Sequence, residues 1–401
     1  MQPFAHLANR RAHLESGNLL RSLTDVINKV EGGINLGQGV CDLDQTEPLV
    51  LGAVESITGK TDRQLYTPYS GLIEARAAIA ERLRRYNGLD VQAENVAVAA
   101  GSSGAFFATG MTLLDPGDEV ILFEPFYPYH HASLRLMGAT PVCVRLGPGY
   151  RPDFAALRRA LSPKTRAVMV NTPANPSGVV WQRGELEQLG VLLDGTDIVV
   201  ITDEVYEYMV FDGRAHVSPG SLASLKERTL TIGGYSKTYS ITGWRIGYVA
   251  GPAATVNAIG VVFDQMNVCA ARPMQRGIER ALRELPDTFY QDLSSTYVRK
   301  RDQFCAALAD AGFTFVVPEG AYYVMADYTR VFGDKEPHPA VLEMIERVRI
   351  NGVPGHVFHE DPRGVRTIRF NFAVRPPVLD DACRRLRSLK RSDRDRRADL
   401  S

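Results

Sequence analysis

The sequence predicts an α/β fold, in which a large domain with a mostly parallel central sheet flanked by helices is joined to a smaller α+β domain. Three observations lead to this prediction. Short, continuously apolar runs alternate with helical patterns between residues 96 and 236, which is typical of buried parallel strands joined by helices. The alternation stops near Leu285, where mixed strands and helices begin. The chain has 401 residues, 45% of them hydrophobic and 23% charged, so it can bury a sizeable core.

The N-terminal part predicts helices on either side of turn-rich loops. Residues 1 to 31 have helix-like apolar spacing and are expected to form an arm that packs on a neighbour. Residues Ile34 to Leu43 read as a short strand that opens into a glycine loop. Helical periodicity follows from Leu49 to Thr58 and from Leu72 to Tyr86, with a turn from Tyr66 to Gly71 between them.

The regular part of the chain supplies six apolar runs that we predict to be strands: VAVAA, EVILF, PVCVRL, RAVMV, DIVVIT and TLTIGG. Helical patterns follow the first four runs, and loops follow the last two. In a parallel sheet the ligand lies beyond the carboxyl ends of the strands, so the residues that follow these runs form the candidate site.

The C-terminal part has a different pattern. Two helical stretches reach Leu285, and a long helix follows from Thr288 to Ala311. The runs FTFVV, AYYVMAD and TIRFNFAV then predict strands, before a terminal helix whose charged tail is expected to fray. We divide the chain into an N-terminal arm with part of the small domain (1–47), a large cofactor-binding domain (48–287) and a small C-terminal domain (288–401).

Composition excludes several classes of function. The formal net charge is zero, so no overall field draws the chain to nucleic acid or to an anionic membrane. The five cysteines have neither disulfide-like nor metal-like spacing, which indicates reduced thiols. The sequence shows no secretory leader and no apolar run of about 18 residues. These features predict a cytoplasmic protein without a membrane or nucleic-acid partner.

One lysine stands apart from the others. Lys237 lies in GGYSKTYSITGWRIGY, a polar and glycine-bracketed stretch, whereas the other seven lysines lie near charged or turn residues, as surface lysines do. A lysine amine attacks a carbonyl carbon in its uncharged form, which a stretch without acidic neighbours favours. Lys237 is therefore the candidate covalent nucleophile.

Polar side chains of complementary kinds follow three of the predicted strands. The turn AAGSSGA precedes a helix, and its amides and hydroxyls suit an anion. The loop VNTPANPSG presents amide side chains, and ITDEVYE places a carboxylate at the end of a buried run, where it needs a cation or donors. The residues concerned are Gly101, Ser102, Ser103, Asn175, Asp203 and Tyr206.

Together these side chains match one ligand. A pyridine ring that carries an aldehyde, a phenolic oxygen and a phosphate requires a Schiff-base lysine, an acid for its ring nitrogen, donors for the phenolate and an anion site. These needs are met, in turn, by Lys237, by Asp203, by Asn175 with Tyr206, and by the two serines with Arg245. The residues therefore predict pyridoxal 5'-phosphate as the cofactor.

The motifs INLGQG, YTPYSG, NPSG, ITDEVYE, SKTYSITGWRIGY and TIRFNF also carry a resemblance to a known family. In their order and spacing, over nearly the whole chain, they resemble the class I/II aminotransferases, which are fold-type I pyridoxal phosphate enzymes. The resemblance implies an enzyme that moves an amino group from an amino acid to a 2-oxo acid. It also implies a homodimer with shared active sites, in which Tyr66 would reach the phosphate bound by the neighbouring subunit.

The resemblance implies a role for each candidate around the cofactor ring. Lys237 would hold the cofactor as a Schiff base and move a proton at the substrate's Cα. Asp203 would pair with the ring nitrogen, while Tyr206 and Asn175 would hydrogen-bond the phenolic oxygen. Tyr127 would stack on the ring.

The resemblance also assigns the two anionic groups. The phosphate would be held by Gly101, Ser102, Ser103, Ser236 and Arg245. The α-carboxylate of the substrate would be held by the planar fork of Arg369, with Asn175 and the backbone amide of Gly39 beside it.

The chain departs from the family pattern at three places. Gly234 stands where many relatives have a serine, three residues before the lysine. The loop after LGQG reads Val40-Cys41-Asp42, whereas a proline usually precedes the aspartate. Arg272 lies in a region that can approach the neighbouring active site in relatives, where it would bind a side-chain carboxylate; a surface role is equally compatible with the sequence.

Two other functions stay open at this point. Elimination, γ-replacement or cyclisation of an activated amino acid such as S-adenosylmethionine would use the same cofactor residues. A ligand-sensing transcription factor of this fold would need a DNA-binding segment, which the sequence does not show. We expect no metal site, because His356 and His359 lie in a predicted loop without a third ligand, and the adjacent His130 and His131 are expected to be structural.

Overall fold

The chain forms one large sheet, one small sheet and a short two-stranded ladder, and the computed structural model describes residues 18–41, 43–59 and 63–398. The strands are β1 (Ile34–Asn35), β2 (Val96–Ala99), β3 (Glu119–Glu124), β4 (Thr140–Arg145), β5 (Thr165–Asn171), β6 (Val199–Asp203), β7 (Thr229–Gly234), β8 (Gly247–Ala250), β9 (Thr314–Phe315), β10 (Tyr323–Asp327), β11 (Ile350–Asn351), β12 (Val353–Pro354) and β13 (Thr367–Asn371).

The helices cover these sheets. In chain order they are α1 (Asn18–Asn28), α2 (Glu47–Ile57), α3 (Ile73–Arg82), α4 (Gly101–Leu113), α5 (Pro128–Met137), α6 (Phe154–Ala160), α7 (Arg183–Leu193), α8 (Ala253–Asn267), α9 (Arg272–Glu284), α10 (Asp287–Ala311), α11 (Thr329–Phe332), α12 (Pro337–Val348) and α13 (Pro376–Ala398).

The large sheet has the strand order β2-β8-β7-β6-β5-β3-β4. β8 runs antiparallel to both of its neighbours, and the other neighbouring pairs are parallel. All residues of β2, β7 and β8 are buried, because helices cover both faces of the sheet. On one face α4 and α8 pack together over β2 and β8, and on the other α7 packs with Leu186, Leu189 and Leu193 against β5 and β6. The predicted α/β fold with a mostly parallel central sheet is confirmed.

A second, antiparallel sheet lies towards the C-terminus. Its order is β12-β13-β10-β9, and α10 packs against α13 beside it. The ladder pairs Ile34 of β1 with Ile350 of β11 in parallel, so the N-terminal segment joins this C-terminal region. The divisions at residues 47 and 287 stay predictions, which the start of α10 at Asp287 and the pairing of β1 with β11 support.

Local structure differs from the sequence prediction at several points. The GSSG segment was expected to precede a helix, but α4 already begins at Gly101, which puts both serines in its first turn. Strands β8, β11 and β12 were not predicted, because none of them lies in a continuous apolar run of the kind that marks the other strands. The terminal helix, α13, extends to Ala398. The first 17 residues of the predicted arm and residues 399–401 lie outside the described residues.

An acidic cluster is buried directly after β6. Glu204 accepts hydrogen bonds from the hydroxyls of Thr202 at 2.6 Å and Ser218 at 2.8 Å, and its Oε2 lies 2.7 Å from His216 Nε2. Burial alone would lower the pKa of His216, but the contact with Glu204 raises it above its ordinary value. Glu207 completes the cluster, and burial raises its pKa to about 7. These contacts fix the position of the chain segment that follows Asp203.

The raised pKa of Glu207 predicts a pH-dependent stability. The folded protein binds this proton more tightly than the unfolded chain, whose carboxyl has a pKa near 4.5. The stabilisation is therefore complete below about pH 4.5 and is lost as the pH rises to about 7, which amounts to about 3 kcal/mol. Glu207→Gln should remove this loss, as measured by urea unfolding between pH 5 and 8. The exposed Glu187→Gln on α7 is the control and should keep the wild-type slope; an unchanged slope in Glu207→Gln would contradict the assignment.

Candidate active site

A cavity of about 640 Å³ opens where the carboxyl ends of the large sheet face β10 and β13 of the small sheet. Strands β5, β6 and β7 end at the cavity, because parallel strands bring their carboxyl ends to one edge. The predicted residues that line it are Gly39, Ser102, Ser103, Tyr127, Asn175, Asp203, Tyr206, Ser236, Lys237, Arg245 and Arg369. Residues from distant parts of the sequence are thus brought together.

Lys237 lies in the turn after β7, and its amine points to the glycine loop that follows β1. Nζ donates a hydrogen bond to the carbonyl of Gly39 at 2.9 Å and lies 5.9 Å from the centroid of the Tyr322 ring. The Tyr322 hydroxyl donates to the same carbonyl at 3.1 Å. A neutral carbonyl and an aromatic face therefore position the amine.

Asp203 ends β6 with its carboxylate buried, and a histidine accompanies it. Oδ2 lies 3.1 Å from Nε2 of His130, and Oδ1 accepts a hydrogen bond from the Val205 amide at 3.3 Å. The His130 ring meets the Tyr127 ring edge to face, with centroids 5.1 Å apart. His130 was expected to be structural, but it lines the cavity and contacts the candidate carboxylate. Tyr127 is the N-cap of α5, which begins at Pro128. His130 lies three residues later, and this spacing puts the two rings on the same side of the helix.

Two hydrogen-bonding groups lie beside Asp203. The hydroxyl of Tyr206 donates to that of Tyr323 at 3.1 Å, and burial raises the pKa of Tyr206 well above its ordinary value, so the phenol stays protonated. The backbone amide of Asn175 donates to the Asn171 side chain at 2.7 Å, and Asn171 in turn donates to the Asp203 carbonyl at 3.1 Å. The asparagine loop is thereby tied to the end of β6.

An anion cradle lies on the other side of the cavity. Ser102 and Ser103 occupy the first turn of α4, where unpaired amides and the helix dipole favour negative charge. The Arg245 guanidinium lies directly over Gly101: a Cβ built on this glycine would be 2.4 Å from Nη2. Arg245 also donates to the Thr242 carbonyl at 3.0 Å. The glycine thus leaves space for the guanidinium beside the helix N-terminus.

Arg369 of β13 is 3% exposed and contacts three parts of the chain. It donates to the Asn175 side chain at 2.8 Å and to the Gly37 carbonyl at 2.6 Å. The rings of Tyr323 and Phe358 lie over its guanidinium, at 4.4 and 5.1 Å from the central carbon to the ring centroids. Nε is buried and has no hydrogen-bond partner, so this guanidinium retains an unused donor.

The departures from the family pattern have different structural settings. A Cβ on Gly234 would lie 3.6 Å from the Ser102 Cβ, an ordinary contact, so sterics do not require glycine there. Val40 lines the cavity and Cys41 is buried beside it, whereas Asp42 lies outside the described residues.

Tyr66 lies outside the cavity and is 80% exposed. The guanidinium of Arg272 donates to the carbonyls of Leu65 at 2.9 Å and Tyr66 at 3.3 Å. Tyr66 and Arg272 therefore lie next to each other on the surface of the chain, and neither lines the cavity of the same chain.

Several lining residues were missed in the sequence. They are Thr24 and Asp25 of α1, Gln38, Tyr129 and Ser133 of α5, Thr242 and Tyr323. Ser133 could have been found from its spacing of three residues after His130 on a helix, but α1 carries no motif that distinguishes its cavity side.

The described residues form two groups that could hold a metal ion, and neither contains His356 or His359. Across the described ranges, we find no helix that is both long and apolar enough to cross a bilayer.

Comparison with known proteins connects this geometry to a family. The family model "Aminotransferase class I and II" matches residues 31–386. A probable N-succinyldiaminopimelate aminotransferase of Mycobacterium tuberculosis is 33% identical over 368 residues, which cover 88% of this chain and 92% of the relative. An arginine–pyruvate transaminase of Pseudomonas aeruginosa is 34% identical over 364 residues, which cover 88% of each chain.

A solved structure shows the same relation in three dimensions. The N-succinyldiaminopimelate aminotransferase structure from M. tuberculosis superposes with a TM-score of 0.89 at 33% identity and covers 94% of this chain and 99% of that one. The relatives named here transfer amino groups, which favours transamination over the elimination and replacement reactions left open by the sequence. The chain therefore belongs to the class I and II aminotransferase family and is a pyridoxal phosphate-dependent transferase that moves an amino group from an amino acid to a 2-oxo acid.

Proposed function

We propose that the cavity binds pyridoxal phosphate and that Lys237 bonds covalently to its aldehyde carbon. One observation carries the proposal: the Lys237 amine, the Asp203–His130 pair and the cradle of Ser102 and Arg245 line a single cavity. The Arg245 guanidinium over Gly101 and the amides of the first turn of α4 suit the phosphate.

Each remaining residue then has a defined task. The bound cofactor supplies the carbon that takes up the amino group and the ring that accepts electrons. Asp203 keeps a proton on the ring nitrogen, and His130 holds the carboxylate in place. Tyr206, whose hydroxyl proton would turn away from Tyr323, and Asn175 would donate to the phenolic oxygen, while Tyr127 would cover one face of the ring. Ser236 adds a hydroxyl to the phosphate site, in which Gly234 contributes none.

Lys237 is the group that moves the proton. With a substrate bound, the free amine of Lys237 would take the proton from the substrate's Cα. Its contact with the Gly39 carbonyl keeps the amine inside the cavity.

Arg369 orients the substrate. Its unused Nε and its planar fork suit an α-carboxylate, which Asn175 and the amide of Gly39 would also contact. The buried rings of Tyr323 and Phe358 keep water from the guanidinium, which strengthens the ion pair.

We also propose a preference for amino donors with a basic side chain. Asp25 places a carboxylate on the lining, whereas the lining cations Lys237, Arg245 and Arg369 are engaged by Gly39, Thr242 and Asn175. The arginine–pyruvate transaminase among the relatives is consistent with such a donor.

The functional unit is a homodimer, in which Tyr66 of each subunit reaches the phosphate of the other. The 80% exposure of Tyr66 in the single chain supports this arrangement, and its backbone contact with Arg272 would bring that arginine to the same interface. A cytoplasmic location is supported by the five free cysteines.

The covalent role of Lys237 predicts that Lys237→Ala loses activity by at least about a thousandfold, because it removes both the tether and the base. Borohydride reduction followed by mass spectrometry should locate the cofactor on the peptide containing Lys237 in the wild type and find none on the variant. Lys226→Ala, at an exposed lysine paired with Asp90, should behave as the wild type. Cofactor fixed by borohydride to the Lys237→Ala chain would refute the proposal.

The proposed roles of Asp25 and Arg369 predict separable effects. Asp25→Asn should lower kcat/KM for arginine and lysine about threefold, as expected for an exposed ion pair, and leave that for methionine unchanged. Arg369→Gln should lower kcat/KM for all three donors by at least about tenfold, since each loses the same charged hydrogen bonds. Single-turnover absorbance changes with each donor measure both effects. Equal losses for methionine and arginine in Asp25→Asn would exclude its proposed role.

The shared site predicts a sedimentation mass of twice the single chain. Tyr66→Phe should weaken cofactor binding about tenfold, because one hydrogen bond to a charged group is lost. Tyr69→Phe is the control, because Tyr69 lies in the same loop as Tyr66 but its hydroxyl donates to Asn257 of α8; it should retain wild-type affinity in equilibrium dialysis. A fully active monomer would contradict the proposal.

A further inference from the structure

A segment near the C-terminus is docked on the large sheet beside the cavity. This docked segment comprises residues 355–361. The Phe126 amide donates to the Phe358 carbonyl at 2.9 Å, and the Glu360 amide donates to Oε1 of Glu124 at 2.6 Å. The Arg145 guanidinium also donates to the Asp361 carbonyl at 3.1 Å. The docked segment lies between β12 and β13 in the chain, and these hydrogen bonds attach it to the ends of β3 and β4.

Three side chains with metal-binding atoms converge at this contact. A ring nitrogen of His131, Cys143 Sγ and a carboxylate oxygen of Glu360 all lie within 4.8 Å of one another. They come from α5, from β4 and from the docked segment. Tetrahedral zinc, with bonds of about 2.0 to 2.3 Å, holds its ligand atoms about 3.5 Å apart, so small side-chain movements would close the site.

Two buried histidine nitrogens face carboxylates at this contact. His131 Nε2 lies 2.7 Å from Oε2 of Glu360. His359 Nδ1 lies 3.8 Å from Oε2 of Glu124. The Phe126 ring stacks on the His131 ring, with centroids 4.9 Å apart and planes at 6°, and so orients Nε2 towards the other two groups.

The other group of three potential ligands provides a contrast. In the cluster of Glu204, Glu207 and His216, Thr202 and Ser218 donate to one oxygen of Glu204, and His216 contacts the other. That cluster is buried and its carboxylates have donors, so it is explained as a hydrogen-bond network. Glu360, in contrast, has a side chain that is 60% exposed, so an ion can reach the group of His131, Cys143 and Glu360 from solvent.

We propose that His131, Cys143 and Glu360 form a binding site for a divalent cation of the zinc class. Imidazole, thiolate and carboxylate are the ligand types that zinc takes in proteins, and water or Glu124 would complete four-coordination. On binding, the ion replaces the thiol proton of Cys143, which is released to solvent. The two positive charges of the ion are then balanced by the thiolate of Cys143 and the carboxylate of Glu360. The ion joins the docked segment to β4 and α5. Because Phe358 of this segment covers Arg369, the ion also stabilises the wall of the substrate site.

The test is a zinc titration of the metal-stripped, cofactor-loaded protein in competition with a chromophoric chelator. The wild type should bind one Zn²⁺ per chain, and saturation should raise its melting temperature. Cys143→Ser and Glu360→Gln should each weaken binding at least about a hundredfold and abolish the rise in melting temperature. Cys305→Ser, at the free cysteine of α10, should bind zinc as the wild type does.

Cobalt gives a second readout that does not depend on stability. Co²⁺ bound to the wild type should show a sulfur-to-cobalt charge-transfer band in the difference spectrum, and Cys143→Ser should lack it. Equal zinc affinity in the wild type and Glu360→Gln, or a melting temperature that Glu360→Gln lowers without any dependence on zinc, would overturn the proposal. In that case His131 and Glu360 form only an ion pair.

Discussion

The site depends on a buried carboxylate that the fold keeps paired. Asp203 is 6% exposed at the end of β6, and an unpaired charge there would cost several kcal/mol. His130 on α5 lies 3.1 Å from this carboxylate. The contact therefore fixes the position of α5, the helix after β3, relative to the end of β6. Successive strand residues point to opposite faces, and the adjacent Glu204 accordingly points away and meets its own histidine, His216. One sequence motif thus directs one acid to the cavity and the other into the interior.

Arg369 performs the corresponding task for the second wall. Its guanidinium contacts Asn175 after β5, the Gly37 carbonyl after β1, and the ring of Phe358. Three chain segments that are remote in sequence therefore converge on one cation. Because its side chain is almost fully buried, the hydrogen bonds are made in a medium of low dielectric, where they are stronger than on the surface. A ligand that contacts Arg369 is consequently linked to the large sheet, to the glycine loop and to the docked segment at once.

The features that could be predicted from the sequence are those with local causes. Continuous apolar runs indicated the six parallel strands of the large sheet, and polar residues after them indicated the cavity, because strand direction determines which ends meet. The site residues Lys237, Asp203, Asn175 and Arg245 follow from this rule and from the family motifs. β8 was missed because four residues, two of them small, carry little pattern. The contacts that involve three distant segments, such as His131, Cys143 and Glu360, have no sequence signal, since their proximity depends on how the sheets pack.

The Val40-Cys41 loop shows how an unusual residue can still fit the site. A proline at this position would restrict the backbone, whereas Cys41 restrains the loop through its side chain. Its thiol donates to the Lys237 carbonyl at 3.3 Å. Burial raises the pKa of Cys41, so the thiol keeps the proton that this bond requires. The loop is therefore fastened to the backbone of the same lysine whose amine contacts Gly39, two residues before the cysteine. The glycine loop is thus held both by the backbone carbonyl of Lys237 and by its amine, and these two contacts keep the amine in the cavity.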